Sequence, residues 1–178
     1  MTTQFNSLSQ CVSYYHRQID ELLMLHQEAV IVQDIVLAED ALKVFSKLLK
    51  AHISLEDEHL IPAHQSLNTE KHWQTRVYQE EHLKLHELLS NIRQMVRKAP
   101  EQTELRRWVI ELIDYERTFK NVMEHHEERE EKGLLLELDH ELNKDTLNQL
   151  ITTCHLAWQE TYDSLREDVE DIRQRLPR

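Results

Sequence analysis

The chain contains almost no residues that interrupt regular structure, with one Gly and three Pro among 178 residues. Helix formers such as Leu, Glu, Gln, Lys and Ala fill every segment. No segment alternates apolar and polar residues as a half-buried strand does. Such a sequence is typical of long helices joined by short connections, so we expect an all-α protein.

Apolar residues at intervals of three and four positions mark four amphipathic helices before residue 135. The first helix begins near Ser7 to Ser9, and either of these two serines can cap it. The second helix carries residues 42–59 and stops at Pro62, because proline lacks a backbone N–H, and residues 63–68 form a loop. Four such helices with short links predict an antiparallel up-down four-helix bundle over residues 7–135.

The remaining boundaries follow from the same signals. The third helix starts at Asn68 or Thr69, and Thr103 caps the fourth, which weakens or ends at Gly133. A long amphipathic helix lies in an extension over residues 136–178. Four helices already close a core, so this additional helix either packs across the bundle or joins two copies of the chain as a homo-oligomer. The sequence leaves both arrangements open.

The charge balance restricts the partners of the chain. It has 21 Lys and Arg against 33 Asp and Glu, a net charge of −12, which disfavours nucleic acid and anionic membrane as partners. No apolar run is long enough to span a bilayer. The first residues lack the features of a signal peptide, and Cys11 and Cys154 form no Cys-x-x-Cys motif. We therefore expect a cytoplasmic protein with reduced thiols.

Polar residues interrupt one apolar stripe where a core residue is expected. Residues Phe45 and Leu48 of the second helix are followed on the same face by His52 and then Glu56. A buried carboxylate without a partner costs considerable free energy, and a bound metal ion would offset that cost.

The other helices repeat this pattern. The chain contains twelve histidines, and the pattern concerns those on apolar stripes. Each of the four helices places a histidine on its apolar stripe, and two of them add a glutamate four residues later. These residues are His16, His52, Glu56, His82, His126 and Glu130. His86 lies one turn after His82 on the same side. Imidazole and carboxylate suit iron, manganese or zinc, and the ligands suffice for two ions that the glutamates can bridge.

The remaining histidines are assigned to other roles. His26 also lies on an apolar stripe, but we interpret it as a structural core residue, because one ligand from the first helix suffices. Six further histidines are expected at the surface or at helix edges: His59, His64, His72, His125, His140 and His155.

The order and separation of these motifs resemble the hemerythrin-like, or HHE cation-binding, family over roughly residues 10–135. The motifs are His16-Arg17-Gln18-Ile19-Asp20-Glu21-Leu22-Leu23, His52-Ile53-Ser54-Leu55-Glu56 with Leu60-Ile61-Pro62, Glu81-His82-Leu83-Lys84-Leu85-His86, and His126-Glu127-Glu128-Arg129-Glu130. The resemblance implies a four-helix bundle that holds an oxo- or hydroxo-bridged pair of irons. It also implies that the four stripe histidines are terminal ligands, that Glu56 and Glu130 bridge, and that His86 completes a His-x-x-x-His pair.

The last motif has two alignments. His125 to Glu130 has the five-residue spacing of oxygen-binding hemerythrins, with Glu in place of Asp. His126 to Glu130 has the four-residue spacing that resembles the di-iron domain of iron-centre repair proteins. The phase of the apolar stripe favours His126.

Several functions fit these residues. The first is a non-haem di-iron protein that binds O₂ or NO for sensing, storage or detoxification, and a redox partner could supply its electrons. The alternative is repair or handling of iron for damaged iron centres. A ferritin-like oxidase or peroxidase would use Glu56 with His59 and Glu137 with His140, but it also needs inward glutamates on helices one and three. A metal-free interaction protein would use the terminal helix. Because imidazole binds metal only when neutral, we expect metal loss below about pH 6.

Overall fold

The computed structural model describes residues 5–177, in which helices are the main regular secondary structure and no strand is present. This confirms the predicted all-α class. The α-helices are α1 (Leu8–Ile31), α2 (Ile35–Leu55), α3 (Ile61–Ser66), α4 (Thr75–Arg97), α5 (Leu105–Arg129), α6 (Leu135–Glu141) and α7 (Lys144–Arg175). Two π-helical segments, Glu56–Leu60 and Glu130–Leu134, join α2 to α3 and α5 to α6, and a 3₁₀ turn covers Ala99–Glu101.

Side-chain caps define the first two helix starts. The Ser7 side chain accepts a hydrogen bond from the Gln10 N–H at 3.1 Å, which confirms the predicted cap of α1. Asp34 caps α2 in the same way, after a turn in which Gln33 has a φ of 62°. The predicted cap at Thr103 is wrong, because Glu104 occupies the N-cap position of α5.

Two boundaries in the second and third helices also differ from the prediction. Pro62 does not stop the helix, because the Ile61 N–H binds the Glu56 carbonyl five residues back and α3 starts afresh there. Pro62 then lies in the first turn of α3, where its missing N–H has no intrahelical partner to lose. The predicted loop over residues 63–68 therefore lies too early. Residues 67–74 form the connection instead, and α4 begins only at Thr75.

Gly133 does not end the fourth predicted helix. It lies inside the second π-helical segment, and the chain remains helical through α6. A Cβ atom at this position would lie 2.6 Å from the Tyr78 Oη and 2.7 Å from a ring carbon of Trp73. Glycine is therefore needed for the close approach of these two aromatic side chains.

The helices surround a continuous apolar core. Helix α1 packs against α2 and α5, and α4 packs against α2 and α5. Within the described part of the chain, none of the helices combines the length and apolar composition needed to cross a bilayer.

The long terminal helix α7 packs against α1 and α2 of its own chain. The Trp158 ring stacks on Tyr15 with a centroid separation of 4.4 Å, and its Nε1–H donates to Gln18 at 2.7 Å. Arg173 pairs with Glu21 at 2.6 Å. These contacts cover the apolar face of α7. The predicted boundary between a bundle over residues 7–135 and an extension over residues 136–178 stays a prediction.

Candidate metal centre

Six predicted ligand residues meet in the core of the structure. Helix α1 supplies His16, α2 supplies His52, α4 supplies His82 and α5 supplies His126, and each π-helical segment begins with one of the glutamates. None of the six is more than 4% exposed. They form two groups whose nearest ligand atoms lie within 4.8 Å of one another: His16, His52, Glu56 and Glu130, and Glu56, His82, His126 and Glu130. These buried groups can hold metal ions.

Both glutamates belong to both groups. Glu56 Oε1 lies 3.2 Å from His52 Nε2, and Glu56 Oε2 lies 3.0 Å from His82 Nε2. Glu130 Oε2 lies 3.1 Å from His16 Nε2, and Glu130 Oε1 lies 2.9 Å from His126 Nε2. Each carboxylate thus directs one oxygen to the His16–His52 pair and the other to the His82–His126 pair. A bridging carboxylate requires this arrangement.

Several of these close contacts lack the angles of hydrogen bonds. Glu56 Oε1, both Glu130 oxygens and His126 Nε2 are buried and have no hydrogen-bond partner among residues 5–177. Buried polar atoms are nearly always paired, and leaving them unpaired costs free energy. A metal ion would satisfy these donor atoms together, so the residues fit a metal site.

The π-helical segments start at the two glutamates. The Ile61 N–H binds the Glu56 carbonyl, and the Leu135 N–H binds the Glu130 carbonyl, each five residues back. Such single π turns occur frequently at functional sites. Each His-x-x-x-Glu motif therefore ends where its helix changes hydrogen-bond register.

Carboxylates outside the two groups contact one histidine pair. His82 Nδ1 lies 3.0 Å from Asp57 Oδ1, and His126 Nδ1 lies 3.2 Å from Glu81 Oε2. Arg129 in turn pairs with Glu81. Apolar spacing in the sequence did not identify any of these three outer residues. Asp57 follows a predicted ligand and Glu81 precedes one, but adjacency alone does not indicate that a side chain reaches across to another helix.

The charges in the cluster shift one another's protonation. Burial opposes protonation of His16, but contact with Glu130 outweighs it and raises the pKa of His16 to about 9. The pKa of His126 rises well above its usual value, because Glu130 outweighs burial there too. Although burial favours the neutral acid, His126 and His16 hold the pKa of Glu130 well below its usual range. Burial lowers the pKa of His52 to about 4.

Three other histidines near the predicted motifs lie outside both groups. His86 is exposed on α4. His125 is also exposed and lies 3.7 Å from Glu128, so His126 is the histidine that joins the cluster. His26 is buried, where its Nδ1–H donates to the Ala38 carbonyl at 2.8 Å and its Nε2 contacts Glu116 at 2.8 Å.

Two histidines expected at the surface or at edges are buried, so that expectation is wrong for them. His64 contacts Glu137 at 2.7 Å through its Nε2. His155 packs edge-on against Phe5 with ring centroids 4.9 Å apart. His140 is exposed, so the Glu137 carboxylate serves His64 and not its own Glu-x-x-His motif.

Two further acidic residues on α5, Glu127 and Glu116, are partly and fully buried, respectively. Burial raises the pKa of Glu127 to about 7. Glu116 is fully buried, and both of its oxygens are bound, by His26 and by the Gln27 side-chain amide at 2.9 Å. Glu116 lies four residues after the core residue Leu112, and that spacing could have identified it as inward-facing.

Comparisons of the chain with protein-family models, curated proteins and solved structures found no match. The geometry of the site is therefore the basis for assigning a function.

Proposed function

We propose that the chain is a hemerythrin-like protein that holds two iron ions and binds a diatomic gas, O₂ or NO. The observation that carries the proposal is the division of each glutamate between the two histidine pairs. Because Glu56 and Glu130 each direct one oxygen to each pair, each ion would receive two imidazole nitrogens and two carboxylate oxygens.

The proposed arrangement is an antiparallel up-down four-helix bundle formed by α1, α2, α4 and α5. Each of these helices carries one histidine of the cluster, as the resemblance to the family implies. His16 and His52 would hold one ion, and His82 and His126 would hold the other. His86 is not part of the proposed site.

Two features of the protein favour gas binding. Two histidines and two glutamates would hold each ion and leave room for a further ligand, and a reduced iron pair held there would supply the electrons that a bound diatomic molecule takes up. The cluster is buried in the core, and the Trp158 ring, which stacks on Tyr15, lies with its centroid 6.4 Å from that of His52 and limits water there. The residues fit manganese and zinc as well, so iron rests on the resemblance.

Gas binding can be tested on protein loaded with Fe²⁺ under anaerobic conditions. We expect the optical spectrum to change when NO or O₂ is added. Protein loaded with Zn²⁺, which has no redox chemistry, serves as the matched control and should not change. Unchanged spectra of the iron-loaded protein with both gases would contradict gas binding while leaving metal binding intact.

A second function, the handling of iron for damaged iron centres, is favoured by one observation. The Nδ1 atoms of His16 and His52 have no hydrogen-bond partner in the described structure, so this pair would hold iron less firmly. Transfer of iron from the loaded protein to a metal-free iron–sulfur protein, without a spectral response to gas, would favour this function over the first.

A further inference from the structure

The two histidine pairs differ in what holds their outer ring nitrogens. In one pair, His82 Nδ1 and His126 Nδ1 each lie within hydrogen-bond distance of a carboxylate. In the other pair, His16 Nδ1 and His52 Nδ1 are buried and contact no hydrogen-bonding group in residues 5–177. We propose that the metal positions are therefore unequal, and that Asp57 and Glu81 are positioning residues that make the His82–His126 position the first and tighter one. This inference rests on the proposed metal-binding function.

The carboxylates fix the orientation of the first pair. An Nδ1–H that donates to Asp57 or Glu81 leaves the lone pair on Nε2, which is the atom that faces Glu56 or Glu130. Such an outer carboxylate also makes the imidazole a stronger donor to a metal. Arg129 pairs with Glu81 and holds that carboxylate in place.

The second pair lacks this support. When Nε2 of His16 or His52 binds a metal, the proton must sit on Nδ1 as a buried donor without a protein acceptor, which disfavours binding. The neighbouring Trp158 ring offers no acceptor, because the only polar group of an indole is an N–H donor, which here donates to Gln18. The His16 and His52 rings meet edge to face, with centroids 4.8 Å apart.

The consequence is stepwise loading of one shared cluster. The first ion enters at His82 and His126 and takes one oxygen from each glutamate. The second ion then uses the remaining oxygens with His16 and His52, and it is the one that a chelator removes first.

A titration of the metal-free full-length chain with Co²⁺ tests this inference, since the visible bands of Co²⁺ report each bound ion. We expect two binding steps in the wild type, with dissociation constants at least about tenfold apart. Asp57→Ala and Glu81→Gln should each weaken the first step by about 10–100-fold and change its visible band. Asp57→Glu, which keeps the carboxylate, should recover part of the lost affinity.

Matched controls come from exposed neighbours of the two positioning residues. Glu58→Ala and Glu80→Gln remove exposed carboxylates one residue away, and both steps should stay within about twofold of the wild type. His16→Gln should remove only the weak step, and His82→Gln should remove the tight step.

The outcomes separate this inference from the proposed function. Two equal steps in the wild type, first-step affinity unchanged in both Asp57→Ala and Glu81→Gln, or loss of the tight step in His16→Gln would overturn the inference while leaving metal binding in place. A wild-type chain that binds no Co²⁺ would overturn the proposed function, and this inference with it.

Discussion

At the scale of single residues, Glu130 determines the charge of the cluster without metal. It is fully buried between His126 Nε2 at 2.9 Å and His16 Nε2 at 3.1 Å. An ionised carboxylate in that position favours the imidazolium form of both neighbours. The metal-free cluster therefore holds protons at the nitrogens that would bind metal.

We predict that metal binding releases protons from these two histidines. At pH 7 His16, with a pKa of about 9, and His126 are protonated before binding and must be neutral afterwards. His52, with a pKa of about 4, is already neutral and releases none. About two protons or more should leave per chain at pH 7, because contact with Glu56 outweighs burial and raises the pKa of His82 as well. Apparent affinity should rise with pH up to about 9, the pKa of His16, well above the pH 6 expected from the sequence.

Calorimetric titrations in buffers with different ionisation enthalpies measure this proton count. His16→Gln should lower the count by about one, whereas the exposed His125→Gln should leave it unchanged. A binding heat that does not depend on the buffer would show that no protons are released and would contradict the predicted charge state.

At the scale of helices, the inward-facing positions of the six candidate ligands were predictable, because apolar spacing shows which side of a helix faces inward. The same spacing distinguished His126 from His125 and placed His52 and Glu56 together. It could not reveal the π-helical segments, since the bond from Ile61 N–H to the Glu56 carbonyl skips one residue without any marker in the sequence. Pro62 was therefore misread as a helix stop.

Gly133→Ala tests the close packing around the second π-helical segment. Helix propensity alone predicts that alanine stabilises a helix by about 1 kcal/mol relative to glycine. Because the new Cβ would lie 2.6 Å from Tyr78 Oη, we predict the opposite sign, a loss of about 1–3 kcal/mol. The Tyr78 hydroxyl also accepts the Leu134 N–H at 3.0 Å, so moving its ring breaks a buried contact.

Urea unfolding of the metal-free protein measures this difference. Glu131→Ala, an exposed change within the same segment, should alter the free energy of unfolding by no more than about 0.5 kcal/mol. An alanine variant at position 133 that is as stable as the wild type would show that Trp73 and Tyr78 move aside freely.

At the scale of the whole molecule, the sequence could not predict which residues outside the six candidate ligands meet across helices. His26 and Glu116 are 90 positions apart, His64 and Glu137 are 73 apart, and both pairs depend on how the helices pack. Apolar stripes identify inward residues on each helix separately, but they do not specify partners on other helices. The support of His82 by Asp57 was hidden for the same reason.

The terminal helix α7 should contribute to the stability of its own chain. Trp158 is 1% exposed, stacks on Tyr15 and donates to Gln18. We predict that Trp158→Ala lowers the free energy of unfolding by about 3–5 kcal/mol, measured by urea denaturation. Leu156→Ala, at a position that is 60% exposed, should change it by no more than about 0.5 kcal/mol. Equal effects of the two substitutions would argue against packing of α7 on α1 and α2.

The number of metal ions bound per chain shows whether the cluster is a dinuclear metal centre. The protein is loaded with Fe²⁺ under anaerobic conditions, freed of unbound metal and analysed for its elements. Two groups that share Glu56 and Glu130 predict about two ions per wild-type chain. The metal content of the Glu130→Gln variant should fall below about half an ion per chain, because Glu130 faces both histidine pairs. The Glu131→Gln variant, changed at an exposed position, should keep about two ions per chain. Less than about half an ion in the wild type, with no other metal in its place, would contradict a dinuclear metal centre.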